Sequence, residues 1–172
     1  MPFKNLFHSL FSFKAWSHAE LYALLDKEAA RLPDEARREV MRLLSHIHVI
    51  DQIFKGHLQN APHGFKSPNT PEIPPLDVLR PKVAEIDRWY VDYVSNLSAE
   101  RYSERVGFVF TDDQRGSMSR EEILMHVLQH GGYHRGSIGR ILVEHGIAPP
   151  RETFTRFLHE QEPQRRTQGQ GQ

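Results

Sequence analysis

The chain is expected to fold as an all-α protein, an antiparallel four-helix bundle with one short β-hairpin ahead of its last long helix. Three observations carry that expectation. Apolar residues recur at three- and four-residue spacing through four segments, which is the period of a helix face. Most of the connections between those segments are short, which favours antiparallel neighbours. The length of 172 residues suits one domain with a fair-sized core. Residues 1–160 are read as that domain and 161–172 as a disordered Gln/Gly/Arg tail.

The first helix is placed from Ala15 to Leu32, with Trp16, Ala19, Ala23, Leu24 and Leu25 in helical spacing. Leu32 precedes Pro33, and a residue before proline is pushed out of the helical region. The apolar stretch before it, Met1 to Trp16, is broken by His8, Ser9, Ser12 and Lys14, and no small-residue cleavage pattern follows. It reads as a lead-in to the helix rather than a secretory signal. Asp34 is the expected N-cap of a second helix running from Glu35 to Leu58. Its buried stripe is Val40, Leu43, Leu44, Ile47, Ile50, Ile53, Phe54 and Leu58, and the same spacing turns His46 inward. Asn60 to Pro75 is a long proline-rich loop, and loops of that length are usually functional or mobile.

Helical periodicity resumes from Leu76 to Leu97 through Leu79, Val83, Ile86, Tyr90 and Val94. Pro81 is tolerated only in a first turn, so the start is expected at Val78 or Leu79. Arg105–Phe110 and Arg115–Met118 flank the turn Thr-Asp-Asp-Gln and predict the hairpin. Ser119 with Glu122 forms a capping box that opens the fourth helix. That helix should run to Glu144 or His145 and stop at Gly146. Gly131, Gly132, Gly136 and Gly139 lie inside it, each costing about 1 kcal/mol against alanine. Their presence predicts close approach of another backbone, or of a metal-bound ligand. A short helix over Thr153–His159 closes the domain.

Composition removes several functions. Twenty-two basic residues balance twenty-two acidic ones, so the excess Lys and Arg of a nucleic-acid footprint is missing. No apolar run approaches the ~18 residues of a membrane span. Cysteine is absent, so neither a disulfide nor a protein thiolate is available. A cytoplasmic enzyme or binding protein is the default expectation.

Eleven histidines make an imidazole site worth pursuing. His126, His130 and His134 follow one another at four-residue spacing, almost above one another on one helix face. Neutral imidazole is the commonest ligand for zinc, nickel, iron and copper. His126 and His134 are about 12 Å apart along the axis, so one ion can take 126 with 130 or 130 with 134, with His46 as a third donor. The remaining histidines, among them His18, His48, His57 and His63, are assigned to surface or packing. A zincin needs glutamate after its first histidine, and here Gly131 follows His130. Ferritin-like dimetal sites need Glu-x-x-His, which occurs nowhere in the chain. Arg135 lies about 100° off the ligand face and is expected in a structural ion pair. Asp51, His48 and Tyr133 are the nearest candidates for a general base.

The run Leu44–Asp51 with His46 inside it, the run Leu124–Gly136 with its core His130-Gly-Gly-Tyr-His134-Arg-Gly136, and the closing run Ala148–Phe157 together resemble the DinB/YfiT-like superfamily. The resemblance spans Trp16 to about Leu158. It implies a four-helix bundle, usually dimeric, in which three histidines bind one divalent metal. By that likeness the ligands are His46, His130 and His134, in preference to His126. The metal is zinc, nickel, iron or manganese. Ser137 stands where many relatives carry glutamine, and His18 where asparagine is frequent; neither removes a ligand. The resemblance implies a thiol-dependent transferase or a hydrolase-like enzyme acting on a small molecule, with a low-molecular-weight thiol as cosubstrate. The alternative is a non-catalytic, stress-associated dimeric bundle whose metal is structural or vestigial.

Overall fold

The computed structural model describes residues 2–166, with side chains from residue 6 onward. Four long helices make up most of the chain: α1 (Pro2–Glu28), α2 (Asp34–Gln59), α3 (Leu76–Asn96) and α4 (Arg120–Glu144). A two-stranded antiparallel sheet, β1 (Arg105–Val109) with β2 (Arg115–Ser119), precedes α4 and pairs Arg105 with Ser119 and Val109 with Arg115. A short α5 (Phe154–Gln161) follows. Within this helical fold α1 packs chiefly on α3 and α2 on α4. No helix among the described residues is long and apolar enough to cross a membrane.

Three corrections concern helix starts. α1 begins at Pro2, not Ala15, because Phe7, Phe11, Lys14, His18, Leu21 and Leu25 form one continuous buried stripe. Of the polar residues that seemed to break the segment, His8, Ser9 and Ser12 lie off that stripe, while Lys14 is buried within it. α3 begins at Leu76 and carries Pro81 in its second turn. The Pro75 carbonyl accepts from Val78 N at 3.1 Å and Leu79 N at 2.9 Å, which starts the helix early. Proline then removes one later hydrogen bond at an exposed position. Asp34 is also the first residue of α2 rather than its cap; Pro33 is the N-cap and makes no side-chain bond. Both Asp34 and Glu35 therefore act through first-turn charge.

The capping box at Ser119 and Glu122 forms as expected, and Gly146 takes φ of 70° just past the end of α4. Arg120 donates to the Leu58 carbonyl at 2.8 Å and to Glu104 at 2.7 Å, tying the start of α4 to the end of α2. That clasp fixes the two histidine-bearing helices against each other. Of the tail expected from 161 onward, Pro163–Arg166 form a 3₁₀ turn, and 167–172 lie outside the described residues.

The core falls into two apolar clusters. One joins Phe7, Phe11, Phe54, Tyr90, Ile123 and Val127 near the hairpin; the other joins Leu21, Leu25, Leu44, Leu79, Ile138 and Leu142. Between them along each long helix sits a polar residue: Lys14, Asp51, Asp87 and Arg135, all buried.

Candidate metal centre

His46 projects from the middle of α2 toward α4, where His130 and His134 stand one turn apart. Ring centroids are 4.9 Å apart for 46 and 130, 4.8 Å for 46 and 134, and 4.5 Å for 130 and 134. Each residue offers one ligand atom, and these all lie within 4.8 Å of one another. His46 Nε2 and His130 Nε2 are 3.0 Å apart. Two imidazole nitrogens about 2.1 Å from a single ion subtend roughly 90° at that separation. The cluster therefore suits one ion, and its donors are the three residues expected from the sequence.

The ring of His46 is held from outside. Its Nδ1 donates to the Pro68 carbonyl at 2.9 Å, which leaves the Nε2 lone pair facing the other two histidines. A hydrogen bond of this kind behind a ligating imidazole fixes tautomer and orientation. Pro68 belongs to the long loop after α2, and its neighbour Asn69 accepts from Arg42 at 3.4 Å. The loop thus fixes the ring of one candidate donor.

Burial, then His134 and His46, lowers the His130 imidazole to about 3. Burial, then His46 and Arg42, lowers that of His134. Both rings are neutral at pH 7 and keep their lone pairs. The Nδ1 atoms of His130 and His134 are buried with no hydrogen-bond partner among the described residues, so neither ring has the kind of bond that orients His46. His126 lies outside the group; its ring stacks 5.7 Å from His130 and 4.6 Å from Phe54.

The helix glycines behave differently from expectation. Of the four in α4 only Gly131 is tight: a Cβ there would lie 2.9 Å from Arg135 Nη1, while one on Gly136 would meet nothing within 4 Å. At Gly131 the close approach is by a side chain rather than by another backbone.

That arginine belongs to a buried chain of charges that sequence reasoning missed. Glu152 accepts from Arg135 Nη2 at 2.6 Å and from Nε at 2.9 Å, the ion pair expected for Arg135. Arg135 Nη1 donates to His18 Nε2 at 3.2 Å. A guanidinium has no acceptor, so His18 must carry its proton on Nδ1, which donates to Asp87 at 2.7 Å. Lys14 Nζ donates to Asp87 at 2.6 Å and to Asp51 at 2.7 Å. Burial, chiefly, lowers His18 to about 4. Asp87, against its desolvation, is held well below the usual carboxylate range by His18 and Lys14. Asp51 goes the other way: desolvation outweighs Lys14 and raises it to about 6.

His18 is thus a buried network residue, not a surface one. The signal was its place four residues after Lys14 on the stripe of α1, invisible while the helix was started at Ala15. Of the three suggested bases, Asp51 is fully buried against Lys14 and burial lowers the imidazole of His48 to about 4, while Tyr133, 75% exposed, has its ring 5.2 Å from that of His134.

A model of a protein family, described as the DinB family, matches residues 1–167. No curated protein and no solved structure matches the chain.

Proposed function

The chain belongs to the DinB family, and on that premise we propose that it is a metal-dependent enzyme whose single divalent ion is held by His46, His130 and His134. The reaction is a thiol-dependent transfer or a hydrolysis on a small-molecule substrate. One observation carries the proposal: two imidazole nitrogens 3.0 Å apart, one of them aimed by a carbonyl behind its ring. When bound, such an ion supplies Lewis acidity toward a thiol or water.

The protein's own residues set the conditions. Pro68 holds the His46 ring, and burial keeps His130 and His134 neutral, so no proton has to be displaced from them at pH 7. Three imidazoles bring no negative charge, so the charge of the ion stays available to attract an anionic cosubstrate, a thiolate above all. The chain has no cysteine, so that thiol arrives with the cosubstrate. Zinc, nickel, iron and manganese all accept such a donor set to differing degree. The pairing of α1 with α3 and α2 with α4 supports an antiparallel four-helix bundle. We extend the proposal to a cytoplasmic homodimer.

The test is elemental analysis of protein purified without a histidine tag, beside a His130→Ala/His134→Ala variant. The expected result is about one divalent metal per chain, absent from the variant, followed by turnover when low-molecular-weight thiols are screened. Equal metal in both proteins, or none in the parent after metal-replete purification, refutes the proposal.

A further inference from the structure

The loop between α2 and α3 is held to the rest of the fold by very little. No residue from Gln59 to Val78 is buried. His63 still packs on the end of α2, its ring 5.3 Å from that of His57. From Gly64 to Pro74, two hydrogen bonds reach another element among the described residues. Arg42 donates to Asn69 at 3.4 Å, and His46 Nδ1 donates to the Pro68 carbonyl at 2.9 Å. A segment with so few buried contacts opens locally at low cost. The shorter of its two bonds starts on a candidate metal donor.

The two nitrogens of that ring are coupled. Nδ1 faces the loop and Nε2 faces His130. An ion taken by Nε2 draws charge from the ring, which makes Nδ1–H a stronger donor and tightens its bond to Pro68. The converse holds by linkage: the factor that an ion adds to loop closure is the factor that closure adds to the hold on the ion.

On the premise of a metal centre at His46, His130 and His134, we propose that residues 64–74 form a strap whose closure is set by the occupancy of that centre. The metal-free chain opens the strap readily, and the loaded chain keeps it against α2. Lys66 supplies a reporter: it is exposed, lies two residues before Pro68, and is the only basic residue that could take trypsin between Lys55 and Arg80.

Trypsin is added to the full chain with chelator or with zinc, and cleavage after Lys66 is timed by mass spectrometry. Zinc uptake is measured separately by titration calorimetry. Zinc should slow the cut about fivefold in the parent, the gain from a neutral to a charge-assisted hydrogen bond. It should not slow it in His130→Ala/His134→Ala. Without zinc, His46→Ala should be cut about fivefold faster than the parent, because the bond to the strap is gone. His46→Asn puts an amide N–H in the place of Nδ1, so it should be cut at the parent's zinc-free rate and gain no protection from zinc. Zinc that binds the parent without slowing the cut overturns the strap and leaves the metal centre standing. Equal protection in the double variant, a zinc-free His46→Ala cut no faster than the parent, or a His46→Asn cut as fast as His46→Ala does the same. A parent that takes up no zinc refutes the metal centre itself, and the strap falls with it.

Discussion

Replacing Lys14 by methionine removes the one cation that two buried carboxylates share. The change shortens the side chain by one atom and keeps its apolar stem, so little packing is lost. What is lost is a 2.7 Å contact to Asp51 and a 2.6 Å contact to Asp87 at side chains exposed by 4% or less. Breaking a buried pair from one side costs about 3–5 kcal/mol, because a charge stays behind without compensation. For a chain of this size that corresponds to a fall in Tm of roughly 6–20 °C. The effect must also depend on pH. Without Lys14 the carboxylates bind protons more readily in the folded than in the unfolded chain, so the variant gains stability as pH falls from about 7 to 5. Urea melts followed by tryptophan fluorescence, with chelator present, measure both. The double variant Lys14→Met/Asp51→Leu should recover at least ~1 kcal/mol, since Asp87 keeps His18 and no second carboxylate remains. A single variant within 1 kcal/mol of the parent at pH 7, or a deficit that does not narrow with acid, refutes the account of this layer.

Three further expectations follow from the same structure. Gly131→Ala should destabilise despite better helix propensity, because the new Cβ meets Arg135 Nη1 at 2.9 Å, whereas Gly136→Ala should stabilise by about 0.5–1 kcal/mol in open space; paired urea melts decide it. His126→Ala should retain the metal and His130→Ala should lose it, as read by titration calorimetry with zinc, and loss in both would move the site one turn along α4. In metal-free protein, buried His18 and His48, both lowered to about 4, make the unfolded chain bind more protons below pH 6.5. Stability should therefore fall as pH drops from 6.5 to 4, opposed by Asp51, whose raised value works the other way between 6 and 4. A melting temperature that is flat or rising over that window contradicts the buried neutral histidines.

The sequence carried the helices well because their apolar stripes are long and regular, and local chemistry such as Ser119 with Glu122 marks an end without help from the rest of the fold. It misled where a local rule met a longer pattern. His8, Ser9 and Ser12 look like interruptions in a linear reading, yet they share the faces of α1 that do not carry its Phe7–Leu25 stripe. Pro81 looks like a boundary, yet the Pro75 carbonyl had already started the helix. Spacing alone put His126, His130 and His134 on one face of α4 and left two pairs open, and the family likeness chose His130 with His134. His46 needed the family likeness, because the register of α2 against α4 is set by packing and by the Arg120 clasp, neither of which is periodic.

The charged layer was illegible for a deeper reason. Each member, read on its own helix, is a polar residue among apolar ones, and the ordinary inference is a surface position. Lys14, Asp51, Asp87 and His18 become a unit only when three helices bring them to one level, where Lys14 bridges the two carboxylates and His18 takes the second oxygen of Asp87. Such a layer contributes less to stability than an apolar replacement of the same volume would, so its presence asks for another reason. Its far end supplies one: Arg135 directly follows His134 on α4 and is gripped by Glu152 on one side and by His18 on the other. A helix pinned in that way cannot turn about its axis without breaking both bonds. The same rotation would carry His130 and His134 away from His46. The layer is thus best understood as what holds His130 and His134 of α4 in register with His46 on α2.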